Sequence, residues 1–212
     1  MTNTQPMRPD LYISGDVETD GPIPGRFSML SFGLTVVGRF DGNTFRRFKN
    51  GELSLYRELQ PISDHYETEA LEVNGLDRVR LQREGSSPTT AMNDAWQWVM
   101  DVSTDCRPVL VAYPASFDWT WLYWYFIQFG DHGSPFGFSS CFDIKTMLAT
   151  IARVPLDRAT KKHIDCGVNA LAHTHHALED AIEQGDLFAK LFELNLSNPT
   201  RAPLEVSRSR RP

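Results

Sequence analysis

An α/β fold on a mixed, five-stranded sheet flanked by helices is what this sequence predicts. Three observations carry that expectation. Strand-like runs punctuated by turn residues fill the first third of the chain, and short apolar runs then alternate with helical patterns. The 212 residues, 41% hydrophobic and 23% charged, have ordinary globular composition and suffice for one domain. An antiparallel meander followed by strand–helix alternation gives a sheet of mixed sense.

Residues 1–9 are polar, carry Pro6 and Pro9, and read as a flexible leader to a domain spanning 10–196. Leu11, Tyr12 and Ile13 lead through Ser14 and Gly15 into Asp16-Val17-Glu18, a first strand. In SMLSFGLTVVGRF, Leu30, Phe32, Leu34 and Val36 alternate, which predicts a second strand with one face buried. Asp41-Gly42-Asn43 signals a turn, Thr44 to Phe48 a return strand, and Leu53 to Leu59 the next strand candidate. A short helix is expected over Asp64 to Val73, stopped by Asn74-Gly75. Pro88 to Ser103 predicts a longer one, with Ser87 as N-cap and Met92, Ala95, Trp96, Val99 and Met100 as its apolar stripe. Val109 to Ala112 reads as a buried strand and Trp119 to Phe129 as an aromatic helix. Cys141 to Leu148 holds a strand and a helix start, and Ala177 to Leu194 a strong final helix. From residue 197 to 212 Pro, Ser and Arg dominate, predicting a disordered basic tail.

Composition narrows the functional classes. No run approaches the roughly 18 apolar residues of a membrane span, so no membrane partner is expected. MTNTQPMRPD lacks a basic start followed by an apolar run, so no secretory signal is expected either. Cys106, Cys141 and Cys166 form no C-x-x-C pair, which argues against a disulfide scaffold or zinc ribbon and for a reducing, cytoplasmic home. The net charge of −6 disfavours a nonspecific nucleic-acid coat protein. Carboxylates gathered to hold divalent cations would lower the charge in the same way, and the bound metal reverses the local sign.

Several residues suit such a gathering. Asp16 and Glu18 are two apart in a strand, so their carboxylates share a face, roughly 6–7 Å apart. They repel unless a cation sits between them; the blander alternative is an acidic solvent face. Asp118 stands where a strand hands over to a helix, the usual place of an N-cap. Its neighbours Phe117 and Trp119 offer surfaces on which bases stack. His175 and Asp180 are five apart, about 140° around a continuous helix. They can share a cleft only if His175 lies in the loop before the last helix. His173 and His176 compete with it, and spacing singles out His175.

At this point the sequence resembles the DEDDh 3′–5′ exonucleases of the ribonuclease H-like superfold, over about residues 11 to 195. The first motif is Asp16-Val17-Glu18-Thr19, the second Phe117-Asp118, and the third His175-His176-Ala177-Leu178-Glu179-Asp180-Ala181, close to the family's H-x-A-L-x-D-A. Glu69-Ala70-Leu71 through Asn74-Gly75-Leu76 looks like the segment that lies under the terminal nucleotide in relatives. One place departs: relatives often carry an Asn a few residues before the second-motif Asp, and here Tyr113-Pro114 stands there.

The resemblance implies hydrolysis of nucleotides from the 3′ end of single-stranded nucleic acid, DNA or RNA. Asp16, Glu18, Asp118 and Asp180 would hold two Mg²⁺ or Mn²⁺ ions, with His175 as the general base. Val17, Thr19, Asn74, Leu76, Phe117 and Trp119 would meet the substrate, with Leu76 and Phe117 on either side of the last base. A homodimer is compatible, since some relatives work as dimers. Three rivals stand beside this expectation: a catalytically inactive nucleic-acid-binding module on the same fold, an endonuclease on that fold, and an interaction protein with an acidic face.

Overall fold

The computed structural model describes residues 7–160 and 174–197. Its centre is β1 (Asp10–Thr19), buried along almost its whole length. β2 (Met29–Phe40) runs antiparallel beside it, with Asp16 opposite Gly33 and Glu18 opposite Ser31. The outer edge of β2 is shared by two short strands: β3 (Phe45–Arg47) pairs with Gly38–Phe40, and β4 (Ser54–Glu58) pairs with Ser31–Thr35. On the other side of β1, β5 (Arg107–Ala112) and β6 (Cys141–Asp143) add in parallel. The sheet thus has six strands in five lateral positions, mixed in sense as the sequence predicts.

Both faces of β2 are buried, not one. The alternating Phe32, Leu34 and Val36 join Ile13, Val17 and Leu110 in a core beneath α3 (Pro88–Ser103) and α4 (Ala115–Phe129). The opposite face lies under α6 (Ala177–Leu196). There Val37 and Tyr12 pack with Phe188, Leu191 and Phe192, and with Leu148 of α5 (Ile144–Ala152). Tyr12 lies 4.8 Å from Phe188 and 5.2 Å from Phe192, ring centre to ring centre. A strand covered on both sides loses the polar alternation that would mark a solvent face.

The helices begin where their caps are. Ser87 Oγ accepts the Thr90 N–H at 3.1 Å at the head of α3, as its sequence suggests. α1 (Thr68–Asn74) starts four residues after the expected Asp64 and stops on Gly75, whose φ of +66° suits glycine. α2 (Arg78–Glu84) was not anticipated: Asp77 caps it at Val79 N and Arg80 N, and Leu81 is its one buried residue. So short a buried stripe leaves no periodic signal. α4 starts at Ala115, four residues before the expected Trp119, because Asp143 reaches across to accept the Ala115 N–H at 2.7 Å. The same carboxylate caps α5 through Thr146 N. The basic tail beyond Ser197, most of the polar leader, Cys166 and His173 lie outside the described residues. Among those described, no helix is long and apolar enough to cross a membrane.

Candidate active site

The carboxyl end of β1 carries the site. Tyr12, Ser14, Asp16 and Glu18 alternate onto the face covered by α6, so the i, i+2 carboxylates do share a face. Gly33, opposite Asp16, lets α6 come close. A Cβ there would stand 2.4 Å from the Leu178 Cα and 2.6 Å from the Ala177 carbonyl carbon. The first turn of α6, with Asp180, is therefore laid directly on β2 beside the end of β1.

His175 lies before the helix, in a left-handed conformation with φ of +53°, and Asp180 lies in the first turn. This is the arrangement in which the two can share a cleft. Asp180 Oδ1 accepts the Thr174 N–H at 3.2 Å, folding the entry loop back over the helix start. The His176 ring stacks on Tyr56 of β4 at 4.5 Å, which fixes the loop from its other side. As a result Glu18, His175 and Asp180 bring ligand atoms within 4.8 Å of one another.

Asp16 and Asp118 border this group without joining it so tightly. Asp118 is not the N-cap of α4, as its junction position suggested. It sits inside the first turn, 4% exposed, and its Oδ1 accepts the Val17 N–H at 3.2 Å. Asp16 is 8% exposed and Asp180 3%. Burial is the main cause that raises the Asp16 carboxyl well above its usual range, and the charges of Asp118, Glu18 and Asp180 add to it. Burial, then Asp180 and Asp118, push Glu18 up to about 8. Asp118 rises to about 7 by burial, against the opposing pull of the Val17 N–H.

Such a set fits divalent cations. Among the described residues no Lys or Arg forms an ion pair with Asp16, Glu18 or Asp118, so no described cation balances their desolvated charge. Carboxylate oxygens suit hard ions such as Mg²⁺ and Mn²⁺, and the imidazole of His175 beside them can take up a proton.

No family model matches the chain. Over 189 residues, however, it is 36% identical to the 3′-5′ DNA exonuclease Cap18 of Escherichia coli, covering 88% of this chain and 94% of that protein. The chain belongs to the DEDDh 3′–5′ exonucleases. Its ribonuclease H-like fold is seen in the nuclease domain of 3′hExo, a DEDDh family member bound to rAMP. The TM-score is 0.67 at 13% identity, over 88% of this chain and 94% of that one. E. coli ExoI, in a zinc-bound complex with single-stranded DNA, gives a TM-score of 0.61 at 15% identity over 88% of this chain. This exonuclease chain spans only 41% of that ExoI chain.

The residues expected around the substrate divide into two groups. Phe117, on α4, is 39% exposed, and Leu76, in the turn after α1, is half-buried; both helices contact β1. Thr19 and Asn74 have internal partners instead. The Thr19 hydroxyl donates to Gly21 O at 2.8 Å, and Asn74 donates to Thr19 O at 3.0 Å while accepting from Leu76 N. Asn74 thus ties the turn carrying Leu76 to the end of β1. Trp119 is turned about 200° around α4 from Phe117. It stacks on Tyr123 and lines a groove with Ser116, Lys145 and Leu156 on the α5 side. Trp121, two residues further along α4, is fully buried.

Sequence reasoning passed over three residues that shape the site. Gly33 is one, legible only once α6 is laid on β2. Asp20 is another: fully buried, it accepts the Ser28 N–H at 2.5 Å and pairs with Arg78 at 2.9 Å. Gln184, 1% exposed, donates to Asp16 Oδ1 at 2.5 Å. No local pattern announces any of these long-range partners.

Proposed function

We propose that the unit from β1 to α6, residues 10–196, removes nucleotides one at a time from the 3′ end of single-stranded DNA, with two divalent metal ions and His175 as general base. The observation that carries this is the convergence of Glu18, His175 and Asp180 within 4.8 Å beside the buried Asp16 and Asp118. The choice of DNA is supported by the 36% identical relative, which is named a DNA exonuclease.

Asp16, Glu18 and Asp180 would hold the two ions, with Asp118 completing the set. When bound, Mg²⁺ or Mn²⁺ ions neutralise phosphate charge and make water more acidic. His175, exposed at the mouth of the site, takes the proton of the attacking water. The water oxygen bonds to phosphorus, the bond to the 3′ oxygen of the preceding nucleotide breaks, and a 5′-mononucleotide departs. Phe117 and Leu76 hold the terminal base, and Asn74 fixes Leu76 in place. The backbone around Val17 and Thr19 would meet the terminal sugar.

The test uses matched 3′-labelled DNA and RNA oligomers and a circular single strand. Label release from the linear DNA should require Mg²⁺ or Mn²⁺, stop in chelator and vanish in Asp16→Ala. The circle should survive. Cutting of the circle, or full rate in chelator, contradicts the proposal; faster digestion of RNA contradicts the choice of DNA.

A further inference from the structure

Gln184 lies on α6 one turn beyond Asp180. Its amide is engaged in two directions. Nε2 donates to Asp16 Oδ1 at 2.5 Å, and Oε1 accepts the Tyr113 N–H at 2.8 Å. A backbone N–H only donates, so the amide oxygen must face Tyr113 and the amino group must face Asp16. The orientation of Gln184 is therefore set by the backbone at the β5–α4 junction.

Asp16 receives no other side-chain hydrogen bond among the described residues, and Oδ2 is left without a protein donor. We propose that Gln184 is a positioning residue: it fixes the rotation of the Asp16 carboxylate, presents Oδ2 to the shared site, and so sets affinity for the divalent cation. This rests on the reading of Asp16 as a metal ligand. A charge-assisted hydrogen bond in so dry a place is stronger and more directional than its exposed counterpart. Partners that orient ligating carboxylates typically carry about 10- to 100-fold in metal affinity or activity. The two bonds also tie β1, α6 and the β5–α4 junction together through a single amide.

The experiment titrates Mn²⁺ calorimetrically into the full chain and into Q184M, Q184A and D16N. Melting temperatures in chelator, and kcat and KM on a 3′-labelled DNA oligomer, accompany it. D16N should lose Mn²⁺ binding. Q184M and Q184A should stay folded in chelator, bind Mn²⁺ about 10-fold or more weakly, lose kcat by a similar factor and keep KM. Wild-type Mn²⁺ affinity in both Gln184 variants, with binding lost in D16N, overturns this inference and leaves the site reading standing. Undiminished affinity in D16N overturns both. Failure of both Gln184 variants to fold in chelator assigns the residue to the fold and overturns the inference as well.

Discussion

Asp118 Oδ1 accepts the backbone N–H of Val17 at 3.2 Å, joining α4 to β1 between the two acidic residues of the first strand. One carboxylate therefore supplies both an acceptor, which the fold uses, and a charge, which the fold resists. Asp118→Asn separates the two. It keeps an oxygen for Val17 and removes a charge whose carboxyl is raised to about 7. In chelator above neutral pH the variant should melt higher than the wild type while losing most of its exonuclease rate. A lower melting temperature with unchanged rate would contradict that division of roles.

The acidic cluster also sets a pH dependence of stability. Asp118 and Glu18 ordinarily titrate at 3.8 and 4.5; in the folded chain they titrate at about 7 and about 8. Between these limits the native state holds more protons than the unfolded chain, so stability falls as pH rises. Thermal melts in chelator from about pH 5 to about pH 9 should show this decline, and Glu18→Gln should flatten its upper part. Saturating Mn²⁺ should reverse the trend, because the cations favour the ionised carboxylates. A chelated protein whose stability rises over that window would refute this account.

Arg78 and Asp20 form the most buried ion pair among the described residues, with side-chain exposures of 17% and 0%. Arg78→Ala would leave Asp20 charged and unpaired in the interior. The expected loss is about 3–5 kcal/mol in urea unfolding. Arg78 also anchors the head of α2 through Ser63 O, so the turn bearing Leu76 should loosen in parallel. A change within the range of an exposed pair, below about 1 kcal/mol, would show that solvent reaches the site.

Phe117 and Trp119 flank Asp118 and have opposite assignments. Stacking of a base on an aromatic ring is worth about 1–3 kcal/mol, so Phe117→Ala should raise KM for a DNA oligomer about 5- to 150-fold. Trp119→Ala should leave KM near wild type, since its ring lies against Tyr123 on the α5 side. The reverse pattern would place the nucleic acid on the other flank of α4.

The first and third motifs were legible because their spacing is local: two residues along a strand, and a loop–helix boundary five residues long. Asp118 looked like a helix cap, but the carboxylate that meets the start of α4 is Asp143, 28 residues beyond Ala115. β2 looked half-exposed because Gly33 and Thr35 read as the polar side of an alternating strand, whereas α6 covers them. At the Tyr113-Pro114 departure the backbone meets a side-chain amide from far along the chain, that of Gln184, 71 residues from Tyr113. Periodicity shows which face of an element is buried, but contacts made across the fold leave no periodic trace.

On this reading Asp16, Glu18, Asp118 and Asp180 form one divalent-metal centre beside the general base His175. Calorimetric titration of the chelator-stripped chain with Mn²⁺ tests it most directly. Two equivalents bound by the wild type, lost in E18Q and D180N and retained in H175A, with kcat in H175A lower by about 10²- to 10⁴-fold, is the predicted result. Binding that survives in both E18Q and D180N would contradict it.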